Sequence, residues 1–270
     1  MTTTQKTIKY VALSFAGLII ISLISGFILF INFTKEITDF GIIDSSYIEE
    51  VLEETEFNNL NISLKTTNLV IKQSEKFKIQ TNNDRLLINN EENTLKIREE
   101  KGRWLHFSKR KNLVIFLPTN YNLELATIRQ MVGNVQIENL TAEAFEIYLG
   151  TGKTTIDKLT VNDYTIIDGG VGSVEITSST LTNLSSNLGV GKFKLGATLI
   201  GKASIDAGVG SIDLNLLDGL DNYTFKLEKG IGSIYINYKS INESKLTLGS
   251  GNNIIDIEGG IGKINIITNQ

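Results

Sequence analysis

The chain has 270 residues, a net charge of −4, 41% hydrophobic residues, 24 glycines, one proline, one histidine and no cysteine. This composition is typical of an ordered, β-rich protein and excludes a proline-rich stalk or a disordered chain. Without cysteine there is no disulfide, no lipid-modified cysteine and no thiolate metal site. A single histidine also excludes the zinc motif His-Glu-x-x-His, so we expect no metal and no cofactor.

The first predicted element is a transmembrane helix from Val11 to Phe33. These 23 residues contain no charged side chain, and at 1.5 Å per residue they make a helix of about 34 Å, enough to cross a bilayer core. Lys6 and Lys9 precede it, so the positive-inside rule places residues 1–10 in the cytoplasm and the rest of the chain outside. A cleaved signal peptide is the alternative, although its apolar region would be shorter.

Residues 34–56 form a predicted acidic juxtamembrane stalk. Eight carboxylates lie between Glu36 and Glu56, with Lys35 as the nearby base. Apolar residues at Tyr47, Ile48, Val51 and Leu52 have helical spacing, which favours a short helix or a solvated spacer. A coiled-coil contact or a divalent-ion site are the alternatives.

Residues 57–130 are predicted to form a β-rich N-terminal cap and the first irregular turns. Asn-Asn, Asn-Asp and Lys-Gly breakers separate short apolar runs, which is typical of strands joined by turns. The predicted strands are Asn61–Ile71, Lys76–Gln80, Leu86–Asn89, Thr94–Arg98 and Leu113–Leu117.

One segment of this region is rich in basic and aromatic side chains. Residues 101–111 contain five lysines or arginines, the only tryptophan and the only histidine of the chain. Such a loop could contact anionic lipid headgroups or an anionic wall polymer. The alternative is a hairpin whose aromatic residues pack on the cap. The candidate contact residues are Lys101, Arg103, Trp104, Lys109, Arg110 and Lys111.

From residue 131 to residue 270 the chain repeats a short phrase, in which Gly-x-Gly precedes alternating polar and apolar residues. The second glycines are spaced by 19, 20, 19, 19, 22 and 30 residues, and the last interval contains a degenerate copy around Gly249 to Gly251. A period near 20 residues predicts an all-β, single-stack β-solenoid whose coils stabilise one another. We call these seven the ladder glycines: Gly133, Gly152, Gly172, Gly191, Gly210, Gly232 and Gly262.

Equivalent positions of successive repeats are expected to stack in columns. Positions two and four after each ladder glycine are almost all apolar, which predicts a buried strand face. The position between them carries Glu175, Lys194 and Asp213 in three consecutive repeats, so we expect a charge ladder that fixes the register. The turn at Gly262 and the final strand are predicted to close the C-terminal end.

No catalytic constellation emerges from the sequence. The run from Gly150 to Thr155 resembles the end of a phosphate-binding loop, but the required first glycine is absent and no helix follows. A Ser–His–Asp triad would have to use His106, and no Gly-x-Ser-x-Gly elbow exists. Enzymes that cut polysaccharides need converging carboxylates. The nearest candidates, Asp168, Asp206 and Asp213, are expected to fall in different columns, so we predict that the protein is not an enzyme.

Four features together resemble the bacterial "putative adhesin" β-strand-repeat family of unknown function, which includes LiaG-like cell-envelope stress proteins. They are an N-terminal anchor, the segment FNNLNI at 57–62, the strand LVIFLP at 113–118 followed by YNLEL at 121–125, and repeats of the type GVGSVEI. The resemblance covers residues 57–270. It implies a single-pass membrane protein with an extracytoplasmic β-solenoid, and it supplies no catalytic residues.

The expected function is therefore that of a non-enzymatic, membrane-anchored binding or scaffold module in cell-envelope sensing or stress response. The expected partners are the membrane itself and an envelope signalling protein, anionic lipid or wall polymer, and no nucleic acid. A surface adhesin that binds through its polar columns is the alternative. An enzyme acting on polysaccharides is the third possibility.

Overall fold

Alternating apolar residues and glycine corners give a fold built almost entirely of β-strands. The computed structural model describes residues 48–50, 56–100 and 111–269. Within them a single 3₁₀ helix, Leu220–Asn222, joins two strands. The strands are β1 (Ile48–Glu50), β2 (Asn59–Leu64), β3 (Asn68–Ser74), β4 (Lys78–Thr81), β5 (Leu86–Glu91), β6 (Thr94–Glu99), β7 (Asn112–Pro118), β8 (Asn122–Val132), β9 (Val135–Ile137), β10 (Leu140–Ile156), β11 (Leu159–Thr182), β12 (Leu184–Ile200), β13 (Lys202–Gly219), β14 (Tyr223–Ile236), β15 (Lys239–Ile241), β16 (Lys245–Gly249) and β17 (Asn253–Asn269).

The repeat strands stack in parallel, each coil of backbone lying directly on the next. β8 and β9 pair with β10, and β10, β11, β12 and β13 then pair in that order. Each pairing sets a ladder glycine beside the next one, as Gly172 beside Gly191 and Gly191 beside Gly210. The predicted β-solenoid is therefore present, with coils about 4.8 Å apart.

At the C-terminal end the coils do not stack in chain order. β13 pairs with β17, and β14 pairs with the other side of β17, so the last coil of the chain is inserted between two earlier ones. Gly262 consequently lies between Gly210 and Gly232. The prediction that the final strand closes this end is wrong. The outermost coil is β14, and the antiparallel strands β15 and β16 pair with it. Since β16 contains Gly249, the degenerate repeat there is not a solenoid coil.

The N-terminal end has the same kind of insertion. β2 and β3 lie between the coil of β8 and β9 on one side and the coil of β6 and β7 on the other. Antiparallel pairing of β5 with β6, β4 with β7 and β1 with β4 then continues the sheet at this end. The first and last coils of the chain are thus both held between two others.

The core is the interior of this stack. Both apolar columns of the repeat are buried, as predicted; in stack order they are Val135, Thr154, Val174, Phe193, Ile212, Ile264 and Ile234, and Ile137, Ile156, Ile176, Leu195, Leu214, Ile266 and Ile236. The opposite strand of each coil contributes a second apolar pair, such as Phe225 with Leu227. If a strand shifted by one residue against its neighbour, its apolar side chains would face solvent. The alternation of apolar and polar residues therefore fixes the register.

The ladder glycines stand at the corner that joins the two strands of a coil. Their φ angles lie between 136° and 156°, a region that side-chain-bearing residues rarely adopt. A Cβ atom built on Gly191 would lie 1.7 Å from the carbonyl oxygen of Gly172 in the coil beside it. Glycine is therefore required at this corner both for the backbone angle and for the approach of the neighbouring coil.

The strands predicted for residues 57–130 are confirmed, with one change. The run Asn61–Ile71 is two strands, β2 and β3, separated by a corner at residues 65–67. Around residue 48 the helical spacing was misleading, because Ile48–Glu50 is a strand paired with β4. The predicted transmembrane segment 11–33 lies outside the described residues, and no helix in the described part is long and apolar enough to cross a membrane.

Candidate binding surfaces

In the sequence, the basic segment follows β6 and precedes β7. Lys101, Arg103, Trp104, Lys109 and Arg110 fall outside the described residues. The remaining candidate residue, Lys111, donates hydrogen bonds from Nζ to Asp84 Oδ1 and Asn83 Oδ1, both at 2.9 Å.

This contact also affects the carboxylate that receives it. The hydrogen bond from Lys111 and its positive charge lower the pKa of Asp84. Lys111 is thus engaged with the loop before β5.

A polar and aromatic patch occupies the outer face of three adjacent coils. Its centre is Glu146 on β10, whose Oε1 accepts a hydrogen bond from the Tyr164 hydroxyl at 3.1 Å. The Tyr148 hydroxyl donates to Oε2 at 3.4 Å, and so does the Thr127 hydroxyl. Burial and then the nearby Glu146 carboxylate raise the pKa of both tyrosines, so both hydroxyls stay protonated donors at neutral pH.

A second carboxylate extends the patch along the same face. Glu143 Oε1 accepts hydrogen bonds from the side-chain amides of Asn122 and Asn162, each at 3.1 Å. These bonds lower the pKa of Glu143, because they favour its charged form. Three successive coils thus supply one carboxylate held by two amides, with all three side chains open to solvent.

One cation completes the patch. The Arg129 guanidinium lies over the Tyr148 ring, 4.8 Å from its centroid. The parallel register explains this contact, because Arg129 on β8 stands directly beside Tyr148 on β10. We call the set Asn122, Thr127, Arg129, Glu143, Glu146, Tyr148, Asn162 and Tyr164 the polar-aromatic patch.

The charge ladder predicted from the repeat is confirmed. Glu175, Lys194 and Asp213 occupy equivalent positions of three adjacent coils. Lys194 Nζ lies 2.6 Å from Glu175 Oε1, and this contact lowers the pKa of Glu175. Asp213 pairs instead with Lys192, at 3.4 Å. These groups are half-exposed and mutually neutralised, which suits a role in fixing the register.

A column of acidic residues runs along the edge that precedes the glycine corner. Asp168 and Asp206 lie in one column, separated by Asn187, so the expectation that they fall in different columns is wrong. The inserted coil adds Glu258 to this column, and β14 adds Glu228. Asp213 belongs to the other face. Lys245 on β16 pairs with Glu228 at 2.7 Å.

One carboxylate in the cap is buried and serves the fold. Glu99 Oε2 accepts hydrogen bonds from the backbone N–H groups of Lys65, Thr66 and Thr67, at 2.7, 2.9 and 3.2 Å. These are the residues of the corner between β2 and β3, whose donors would otherwise be unpaired. In the described part of the chain no group of three or more metal-binding side chains converges.

A family model now decides what the chain is related to, because it matches residues 57–266 and thus most of the sequence. The chain belongs to the Toastrack DUF4097 family. The resemblance to a bacterial family of "putative adhesins" of unknown function is confirmed. No curated protein matches the chain.

Several solved structures are similar to this Toastrack protein. One, described as a putative adhesin from Parabacteroides distasonis, has 13% identity and a TM-score of 0.47 over 83% of this chain and 98% of its own. A second, from Bacteroides fragilis, has 18% identity and a TM-score of 0.44 over 84% and 100%. A third, described as a putative lipid binding protein from P. distasonis, has 12% identity and a TM-score of 0.39 over 83% and 97%.

Proposed function

We propose that this Toastrack protein is a non-enzymatic binding module of the bacterial cell envelope. In this proposal residues 11–33 span the membrane, residues 1–10 are cytoplasmic and the solenoid lies outside. The uncharged segment of 23 residues with lysines before it supports this arrangement. The module acts in envelope sensing or stress response by holding a partner close to the membrane.

The polar-aromatic patch is the observation that carries the binding proposal. It offers two tyrosine rings, two carboxylates and two amides on the outer face of three neighbouring coils. Hydroxyl groups of a sugar can donate to carboxylates and exchange hydrogen bonds with amides, while the sugar C–H groups pack on tyrosine faces. Because these groups span three neighbouring coils, about 10 Å along the solenoid axis, the patch suits a polymer better than a small ligand.

The charge of the patch narrows the choice of polymer. Glu143 and Glu146 are opposed by Arg129 alone within it, and Asp168 lies beside Tyr148 in the next coil. A net negative surface disfavours polymers that carry many phosphates or carboxylates. We therefore assign the patch to a neutral glycan of the cell wall.

The basic segment would provide a separate contact. Besides the paired Lys111, the segment has four positive side chains and a tryptophan, which favour anionic lipid headgroups. Reversing the charge of Arg103, Lys109 and Arg110 should weaken sedimentation of the full chain with vesicles of anionic lipid and leave binding to wall glycan unchanged. Unchanged vesicle binding by a folded variant would remove the lipid contact from the proposal.

The decisive experiment is co-sedimentation of the detergent-solubilised full chain with purified wall glycan stripped of anionic polymers. Changing Tyr148→Ala together with Tyr164→Ala should reduce binding at least tenfold. The matched control is Tyr235→Ala, because that ring also lies beneath a cation, Lys263, but on the other face of the solenoid. Equal binding by both variants and the wild type would contradict the proposal. Binding to intact cells without binding to glycan would favour an adhesin instead.

A further inference from the structure

An exposed row of aliphatic side chains runs along the glycine corner of the solenoid. Seven of the eleven large hydrophobic side chains exposed in the described part lie there, which is a concentration along one edge. Ile231 is 73% exposed, Ile261 51% and Val190 49%. We call this row the apolar ridge; in stack order it comprises Val132, Thr151, Val171, Val190, Val209, Ile261 and Ile231, with Met131 beside its first member.

The ridge projects because glycines flank it on both sides. Each ridge residue from Thr151 onward is the middle residue of a Gly-x-Gly corner, so the residues before and after it in the sequence have no side chain that could cover it. The corners stack in register, as Val171 beside Val190 and Val209 beside Ile261. Seven coils at about 4.8 Å give a ridge about 29 Å long. Contiguous exposed apolar surface of this kind marks an interaction site more often than isolated residues do.

Charges of opposite sign border the ridge on its two sides. Two residues after the ridge stand Lys153, Lys192 and Lys263, on alternate coils with serines between them. Lys192 lies 3.4 Å from Asp213, and Lys263 covers the Tyr235 ring.

The other border is the acidic column, three residues before the ridge. It contains Asp168, Asp206, Glu258 and Glu228, of which Glu228 already pairs with Lys245. One edge therefore carries a row of lysines, an apolar ridge and a row of acidic residues side by side, although Lys192 is already paired with Asp213 in its own copy.

We propose that the apolar ridge is the interface with a second copy of this chain, related by a two-fold axis parallel to the solenoid axis. That rotation brings the lysine border of one copy opposite the acidic border of the other. Each coil then faces its own equivalent, so Lys263 meets the Glu258 coil of the second copy, and Lys192 lies within one coil of its Asp206. A second copy with its solenoid axis antiparallel would instead set lysines against lysines and acids against acids, which is unfavourable.

The same charges argue against other occupants. An anionic bilayer would be repelled by the acidic column, which borders the full length of the ridge beyond β10. A chain-identical partner satisfies both borders at once, because an isologous interface is self-complementary.

The size of the surface sets the expected affinity. Together with its borders the ridge is about 29 Å long and about 20 Å wide, so each copy would bury about 600 Å². Interfaces at this lower end of the range are weak or transient, and we expect a dissociation constant in the micromolar range. Two anchored copies in one membrane would be held at a higher effective concentration than in solution.

Cysteine cross-linking of the full chain in vesicles tests the arrangement directly, because the chain contains no cysteine. With a parallel two-fold axis, single variants Val171→Cys and Ile261→Cys should each form disulfide-linked dimers, since each residue faces its own copy. An antiparallel copy centred on Val190 would set Val171 against Val209, and neither variant would cross-link with itself. The exposed control Asn215→Cys lies on another strand face and should stay monomeric.

Charge exchange separates this interface from nonspecific contact. Lys192→Glu with Lys263→Glu should raise the dimer dissociation constant at least tenfold, measured by sedimentation equilibrium in density-matched detergent. Adding Asp206→Lys and Glu258→Lys should restore it, because the two borders then exchange signs. A fourfold variant that stays as weak as the double variant would overturn the proposal.

The apolar part has its own matched control. Val190→Lys with Val209→Lys should abolish the dimer, whereas Ile200→Lys with Leu217→Lys, at exposed apolar positions away from the ridge, should not. The proposal is overturned if the wild-type chain remains monomeric at every concentration. It is also overturned if both double variants lose the dimer equally. Ridge-dependent binding to vesicles by such a monomer would assign the ridge to lipid instead.

Discussion

Replacing Gly191 by alanine should destabilise the solenoid more than any conservative change on its surface. The new Cβ atom would lie 1.7 Å from the Gly172 carbonyl oxygen, inside the van der Waals contact distance, and φ at this position is 146°. The neighbouring atom is backbone in a paired strand, so it cannot move aside without breaking the coil pairing. Overpacking costs about 1–3 kcal/mol and an unfavourable φ adds to it, so we expect a loss of about 3–5 kcal/mol.

Gly196→Ala in the same strand is the matched control. There the nearest atom to a new Cβ, Thr177 Cα, is 3.6 Å away, an ordinary contact, so the variant should be neutral or stabilised by up to about 1 kcal/mol. Thermal unfolding followed by circular dichroism should show the Gly191 variant melting about 6–20 °C lower than the wild type. Equal melting temperatures for the two variants would refute the close packing of coils at the glycine corner.

Three further changes test other parts of the structure. Glu99→Gln should cost about 2 kcal/mol of unfolding free energy by urea titration, since an amide nitrogen replaces an oxygen facing backbone donors. Burial raises the pKa of Glu99, but the hydrogen bonds from the backbone donors lower it overall. The Glu99 carboxylate therefore stabilises the fold fully above about pH 4.5, and this contribution is lost as the pH falls through its folded pKa. Tyr223→Phe should cost about 1–3 kcal/mol of unfolding free energy by urea titration, because the Leu199 N–H loses its acceptor. Burial chiefly raises the pKa of Tyr223 to about 12, and this ionisation should vanish from the pH titration of the variant. Deleting residues 253–269 should expose β13 and β14 together, and limited proteolysis should then cut β14 rapidly.

The columns of the solenoid could be predicted from the sequence because their spacing is regular. A period of 19 or 20 residues and strict alternation leave one way to bury both apolar positions, and Val174, Phe193 and Ile212 are buried as expected. The same regularity placed Glu175 beside Lys194 correctly.

The order of the coils could not be predicted, because the regular repeat that makes the columns predictable also makes the coils alike. Ile212, Ile234 and Ile264 occupy equivalent positions, so any of their coils packs equally well on any other. What distinguishes them is the length of the connections, and the longer intervals before Gly232 and Gly262 were the available signal. They leave room for the 3₁₀ helix and for the antiparallel strands β15 and β16.

The polar-aromatic patch was missed because its residues precede the ladder glycines. Arg129 and Tyr148 each stand four residues before one, at Gly133 and Gly152, and so they share a column. Aligning the repeats backward from the glycine would have predicted this pair. It would also have placed Asp168 and Asp206 together.

The apolar ridge and its charged borders depend on the order of the coils. This order is tested most directly by disulfide formation within one chain. In the structure Asp213 is paired with Asn265, so Asp213→Cys with Asn265→Cys should form an intrachain disulfide under mild oxidation. Stacking in chain order would instead place Asp213 beside Tyr235, which the inserted coil holds about 10 Å away. Rapid cross-linking of the first pair alone would support the inserted coil, and cross-linking of Asp213→Cys with Tyr235→Cys alone would contradict it.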